Sequence, residues 1–217
     1  MLEVQSFVNA PVTSNCYVLF DKEQSRDCII VDPGTKDNKN LVDFLNKEEL
    51  APKYIILTHE HFDHCWGVND LVVHYDIPII CSQLCAEAIK NEKRNCSVFY
   101  NNTMSFSITS KTINIESLRG RLHYGKSMFF FYMTPGHTMA SISVVIEKKL
   151  FTGDTLIKDE RTLTKLPSGF IAQLQETLMF YSNFQGKGYM VYPGHGNMFE
   201  LDKYDLKLMV NEKSRLF

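Results

Sequence analysis

Thr58-His59-Glu60-His61-Phe62-Asp63-His64 is the stretch on which the reading of this chain turns. It directly follows Tyr54-Ile55-Ile56-Leu57, a run too short for a helix and bounded like a buried strand. In extended backbone alternate side chains share a face, so His59 and His61 can point at one ion. Asp63 and His64 come one turn-like step later, where the chain enters a helix, and can face a second ion. Buried without metal, three imidazoles and a carboxylate this close would leave donors unpaired or charges repelling.

More ligands are expected at strand ends downstream. His137 lies in Thr134-Pro135-Gly136-His137-Thr138, Asp154 ends Phe151-Thr152-Gly153-Asp154, and His195 lies in Tyr192-Pro193-Gly194-His195-Gly196. Each follows an apolar strand, and a Gly or Pro-Gly turns the backbone so that the ligand stands at the strand's C-terminal edge, where open α/β sheets carry their sites. Five of the seven histidines fall in these motifs, leaving only His74 and His123 as surface or core residues. With about four ligands per ion, the partition is His59, His61, His137 and Asp154 on the first ion. The second takes Asp63, His64, His195 and the other oxygen of Asp154. Nitrogen and oxygen donors without thiolate fit zinc best, and also iron or manganese.

The rest of the chain sets the frame. Its 217 residues are 44% hydrophobic and 22% charged, which excludes a disordered or collagen-like chain. Lys and Arg number 23 against 25 acidic residues, for a net charge of −2, which argues against a basic nucleic-acid partner surface. No apolar run approaches the ~20 residues of a membrane span, and the first residues lack the pattern of a signal peptide. Six cysteines without paired CxxC motifs read as reduced, buried thiols, so a cytoplasmic location is expected. Strands are expected at Leu2–Val8, Cys16–Phe20, Cys28–Val31, Tyr54–Leu57, Pro78–Cys81, Met128–Met133, Ile142–Ile146, Leu150–Thr152 and Tyr189–Tyr192. Hairpin strands are expected between Ser105 and Leu118. Helices are expected around Leu41–Leu45 (capped by Thr35 or Asp37), along Val68–Tyr75, from a Ser82 cap to Ile89, after a Ser168 cap through Tyr181, and around Leu206–Val210. Alternating strands and helices define an α/β protein.

HEHFDH, followed by PGHT, a strand-end GD and PGHG, with VDPG upstream, resembles the metallo-β-lactamase fold superfamily over roughly Asp32 to His195. The resemblance implies a four-layer αβ/βα sandwich, a single domain over 1–217, with the metals at one edge. Within the superfamily, true β-lactamases generally have Cys where this chain has Asp154 and lack the final His of the motif. The flavodiiron branch has Glu in place of His61. The pattern is most similar to glyoxalase II, a thioester hydrolase, supported by Gly153-Asp154-Thr155-Leu156 and Leu166-Pro167-Ser168-Gly169. Glyoxalase II enzymes carry a C-terminal glutathione-binding region, for which the 22 residues after His195 are too few, so no separate substrate-binding domain is expected. Asn197 stands where that branch often has Tyr, and the loop from Ile157 to Lys165 replaces its cationic glycine-rich loop.

The expectation is a dinuclear hydrolase in which a metal-bound hydroxide attacks a thioester or ester of a small molecule. Two divalent ions against Asp63, Asp154 and hydroxide leave a cationic centre, which favours an anionic substrate. Asp63 and Asp32 are nominated for the catalytic set, Asp32 by accepting a hydrogen bond from a ligand imidazole. Lys158, Arg161, Lys165 and Asn197 are nominated for substrate binding. Glu60 lies inside the motif, but its spacing is not the HExxH of a zincin base. A mononuclear-iron persulfide dioxygenase, a phosphodiesterase or nuclease, and a non-catalytic metal module are the alternatives.

Overall fold

The computed structural model describes residues 2–101, 104–158, 160–166 and 168–206. The first half supplies strands β1 (Glu3–Val8), β2 (Asn15–Phe20), β3 (Asp27–Val31), β4 (Ala51–Ile56), β5 (Ile79–Cys81) and β6 (Thr112–Asn114), in that order across one sheet. Its helices are α1 (Lys39–Lys47), α2 (Phe62–Cys65), α3 (Val68–Tyr75), α4 (Gln83–Ala88) and α5 (Ser97–Tyr100). The second half supplies β7 (Arg121–Tyr124), β8 (Ser127–Met133), β9 (Ile142–Ile146), β10 (Lys149–Gly153), β11 (Met190–Pro193) and β12 (Phe199–Glu200), with α6 (Ile171–Tyr181) between β10 and β11. Both sheets are mixed: β3 to β6 run parallel, as do β10 and β11, and the other pairs are antiparallel.

The period-2 alternation of the strands sorts the core into three slabs and so builds four layers. In β2 and β3, Cys16, Val18, Cys28 and Ile30 point outward onto Leu41 and Leu45 of α1 and Val68 and Leu71 of α3. Their neighbours Tyr17, Leu19, Ile29 and Val31 point inward, where they meet Phe129, Phe131, Val144 and Phe151 of the second sheet. Leu150 and Val191 of that sheet point away onto Leu174, Leu178 and Tyr181 of α6. Helix, sheet, sheet, helix is therefore the αβ/βα sandwich expected, and Phe129-Phe130-Phe131-Tyr132 serves two slabs, its odd positions between the sheets and its even ones under α6.

Several local expectations are corrected. The Ser105–Leu118 region holds no hairpin: only Thr112–Asn114 is a strand, and it runs parallel beside β5. Helix α1 begins after Asn38 rather than Thr35 or Asp37, and Asn38 spends its side-chain amide on Gly67 O instead of capping. Ser168 is not the cap of α6; Phe170 precedes that helix. Ser82 does cap α4, accepting from Cys85 N at 3.1 Å. The closing helix expected around Leu206–Val210 lies outside the described residues beyond Leu206. All six cysteines are buried and free, and among the described residues no helix is long and apolar enough to cross a membrane.

The halves are stitched together where the strand ends meet. Asn15 N donates to Gly194 O at 2.6 Å, Tyr17 Oη to Pro193 O at 2.7 Å, and Ile142 N to Thr58 O at 2.8 Å. Those three bonds tie the start of β2 to the end of β11 and the start of β9 to the loop after β4, which is what gathers distant ligands at one edge.

Candidate metal centre

His59, His61, Asp63 and His64 leave the end of β4 and enter α2. His137 follows β8, Asp154 directly follows β10, and His195 lies just after β11. Glycine permits the last two to converge. Gly153 has φ +50°, and a Cβ there would strike Thr58; a Cβ on Gly194 would strike Asp154 Oδ1 and stand 2.8 Å from His64 Cε1.

The side chains form three overlapping groups: His59, His61 and His137; His59, His64 and Asp154; and Asp63, His64 and His195. Asp154 stands between the sets, Oδ1 lying 3.3 Å from His64 Nε2 and Oδ2 3.6 Å from His137 Nε2 and 3.4 Å from His195 Nε2. Asp63 Oδ2 is 3.3 Å from His195 Nε2, and His61 Nδ1 is 2.9 Å from His137 Nε2. Two donors each about 2.1 Å from a tetrahedral ion stand roughly 3.4 Å apart, so these spacings suit donors sharing ions. Buried polar atoms in a folded protein normally find partners. Here Nε2 of His59 and of His64, and Oδ1 of Asp154, are buried without a hydrogen-bond partner. The donor set therefore fits divalent metal.

The outer nitrogens are held by protein groups that fix the rings. Asp32, buried at the end of β3, accepts from Thr58 N at 2.8 Å, Thr58 Oγ1 at 2.6 Å and His64 Nδ1 at 3.1 Å. Because Thr58 Oγ1 gives its proton to Asp32, it accepts from His59 Nδ1 at 3.0 Å. His137 Nδ1 donates to Leu163 O at 2.8 Å and His195 Nδ1 to Thr13 O at 3.1 Å. Four imidazoles thus have Nδ1–H turned outward and Nε2 turned into the cluster.

Electrostatics divides the cluster in two. Burial drives His59 well below the usual histidine range, with the His64 charge adding to it, and burial beside His137 pushes His61 down to about 3. Burial also works against charge on His64, yet Asp154 and Asp63 outweigh it and hold that ring well above its ordinary value. His195 is likewise opposed by burial but pushed up to about 9 by its hydrogen bonds to Asp154 and Asp63. Asp154 lies well below the carboxylate range because His64 and the bonds from His195 overcome its burial. So His59 and His61 offer neutral lone pairs, while in the other set two imidazolium protons neutralise two carboxylates, the charge that one divalent ion brings.

Sequence reasoning brought seven residues to this centre, and they converge on it. Asp32 stands behind the rings, touching His64 directly and His59 through Thr58. Lys158, Arg161 and Lys165 are exposed on the segment after Asp154, and Asn197 is exposed two residues after His195. His74 and His123 are exposed and apart from the cluster. Two participants were not nominated from the sequence. Thr58 relays Asp32 to His59. Glu60 is buried and accepts from Thr138 Oγ1 at 2.9 Å and Ser168 Oγ at 3.1 Å, burial raising its carboxyl. Its partners lie 78 and 108 residues away, so no local pattern could have announced them.

Comparison with known proteins agrees with this architecture. Residues 9–196 match the family model of the Metallo-beta-lactamase superfamily. A probable metallo-hydrolase of Methanocaldococcus jannaschii is 28% identical over 193 residues, 86% of this chain and 89% of that protein. The hydroxyacylglutathione hydrolase of Yersinia pestis is 28% identical over 173 residues, covering 78% of this chain but 59% of the enzyme, so the chain matches about three-fifths of that relative. The crystal structure of BLEG-1 B3 metallo-beta-lactamase superposes with a TM-score of 0.81 at 26% identity, over 91% of this chain and 94% of that one. That match spans most of the 217 residues, and with two facing mixed sheets, helices outside and a His/Asp cluster at the strand ends, the chain belongs to the metallo-beta-lactamase superfamily.

Proposed function

We propose that the protein is a dinuclear metallohydrolase that cleaves a thioester or ester of a small, anionic molecule. The observation that carries this reading is the position of Asp154, whose two oxygens lie against both histidine sets. Two divalent ions, zinc fitting the donors best, would supply hydroxide at neutral pH by lowering the pKa of water from 15.7 to about 7, and would polarise a carbonyl. The protein's part is to hold that chemistry in place. Asp32 keeps Nε2 of His64 free of a proton-bearing tautomer once the ring is neutral, and Thr58 does the same for His59. Asp63 and Asp154 lower the charge of the centre while leaving it cationic, so that a carboxylate or phosphate on the substrate is attracted. Lys158, Arg161, Lys165 and Asn197, exposed on the segments after Asp154 and His195, would meet that anionic group. A thioester is favoured because its thiolate leaves without a strong acid. No uncommitted carboxyl is needed for that step, and Glu60 is already engaged by two hydroxyls.

The relatives define what else belongs in the assay. Hydroxyacylglutathione is the substrate named for one relative and a β-lactam is implied by the name of the solved neighbour, although Asp154 stands where β-lactamases generally have Cys. Protein loaded with zinc or iron should be tested against a panel of thioesters, hydroxyacylglutathione, a chromogenic β-lactam, bis-p-nitrophenyl phosphate and glutathione persulfide with oxygen uptake. Thioester turnover that requires two ions per chain supports the proposal. Oxygen uptake with one iron, phosphodiester cleavage alone, or lactam cleavage alone would replace it.

A further inference from the structure

Soluble proteins seldom leave large apolar side chains exposed in clusters without a use for them. Here they gather on both sides of the metal ligands. On one side Phe62, the residue between His61 and Asp63, stacks on Tyr100 with ring centroids 4.8 Å apart and an interplanar angle of 27°. Tyr100 is 46% exposed. On the other side runs a segment with Leu163 62%, Phe170 54% and Ile171 61% exposed. It is not a loose strap. Leu163 O accepts a hydrogen bond from His137 Nδ1 at 2.8 Å, Phe170 N donates to Gly136 O at 2.9 Å, and Ser168 Oγ is anchored on buried Glu60. Three fixed points hold this ridge beside His137, while His61 Nδ1, 2.9 Å from His137 Nε2, leads back to Phe62.

Resting on the hydrolase reading above, we propose that the substrate is a thioester whose acyl group is an extended apolar chain, seated between the Phe62–Tyr100 pair and the Leu163–Phe170 ridge. The apolar groups flank His61 and His137, whereas the other end of the centre is formed by Asp63, His195 and exposed Asn197. An apolar arm therefore belongs over the first set and a polar one over the second. Carrier thiols are polar, so the apolar arm of a thioester is its acyl group. Hydroxide adds to the acyl carbon, the C–S bond breaks with its electron pair going to sulfur, and a fatty carboxylate and a thiol leave.

The test uses zinc-loaded full-length protein and N-acetylcysteamine thioesters from acetyl to octanoyl. kcat/KM should climb about two- to fourfold per methylene, as burial of each CH2 implies. The double substitution Leu163→Ser with Phe170→Ser, and separately Phe62→Ala, should cut the octanoyl-to-acetyl ratio at least tenfold. A second readout needs no turnover. Trp66 is the only tryptophan in the chain, and its ring lies 5.6 Å from Phe62. Octanoate should shift its fluorescence at concentrations at least tenfold lower than acetate. If octanoate does so while no thioester is cleaved, the apolar seat stands and the hydrolase reading falls. Equal responses to octanoate and acetate with a flat chain-length profile overturn the seat. A dimer that dissociates in the double variant, with the same flat profile, would assign the ridge to a second copy instead.

Discussion

Asp32→Asn is nearly isosteric, yet the hydrogen-bond pattern leaves it no good arrangement. The native carboxylate accepts three bonds: Oδ1 from Thr58 N, and Oδ2 from Thr58 Oγ1 and His64 Nδ1. An asparagine can accept at one position only. With its oxygen at the Oδ1 place, its NH2 faces His64 Nδ1–H; the ring must then take the other tautomer, placing a proton on the Nε2 that should bind metal. With its oxygen at the Oδ2 place, its NH2 meets the Thr58 N–H, a donor facing a donor at 2.8 Å. Losing a partner that orients a ligand imidazole costs roughly 10- to 100-fold in metal affinity, which is about 1.4 to 2.7 kcal/mol at 1.36 kcal/mol per decade. The loss should fall mainly on the ion held by His64, since His59 feels Asp32 only through Thr58. Zinc titration against a fluorescent chelator resolves the two steps. Unchanged affinity at both steps, with circular dichroism showing a native fold, would refute the assignment of Asp32 as the residue that sets His64.

Gly194→Ala should abolish metal uptake and lower the melting temperature, because the new methyl strikes Asp154 and His64; unchanged zinc content would contradict this. His64 and His195 both carry raised pKa values, so at pH 7 each holds a proton that an incoming ion must displace. Filling their set should release about two protons at pH 7 and fewer once pH passes about 9, where His195 is already neutral; affinity should rise with pH, and less steeply past that point. Calorimetry in buffers of different ionisation enthalpy counts those protons, and a count near zero would be incompatible with the charge pattern. Glu60→Ala leaves the Thr138 and Ser168 hydroxyls without their acceptor. It should cost on the order of 1–3 kcal/mol in urea unfolding and speed tryptic cleavage at Lys158, Arg161 or Lys165. A variant as protease-resistant as the parent would mean that Glu60 does not anchor that segment.

What could be read from the sequence was what local chemistry writes into neighbouring residues. HEHFDH, the Pro-Gly-His turns and the strand-end Gly-Asp each declare themselves within a few positions, and strands such as Cys28–Val31 are continuous apolar runs because both of their faces are buried. Other elements had no such signature. Arg121–Tyr124 alternates exposed and half-buried side chains at a sheet edge, and Phe199–Glu200 is only two residues long. Thr112–Asn114 is a strand because β5 lies beside it, a partner that its own three residues do not specify. The Ser168 cap failed for a similar reason: its side chain is committed to Glu60, a contact that exists only in the folded protein. The network behind the ligands is invisible for the same cause, since Asp32 and Thr58 lie 26 residues apart and Glu60 and Ser168 108 apart.

The central claim is that two ions held across Asp154 make a hydrolase. Metal-free protein titrated with zinc, with the initial rate of octanoyl thioester cleavage recorded at each equivalent, tests it directly. The rate should stay low through the first equivalent, rise through the second and reach a plateau at about two per chain, the stoichiometry implied by about four ligands per ion. A plateau at one equivalent, or no cleavage at any loading, would contradict it.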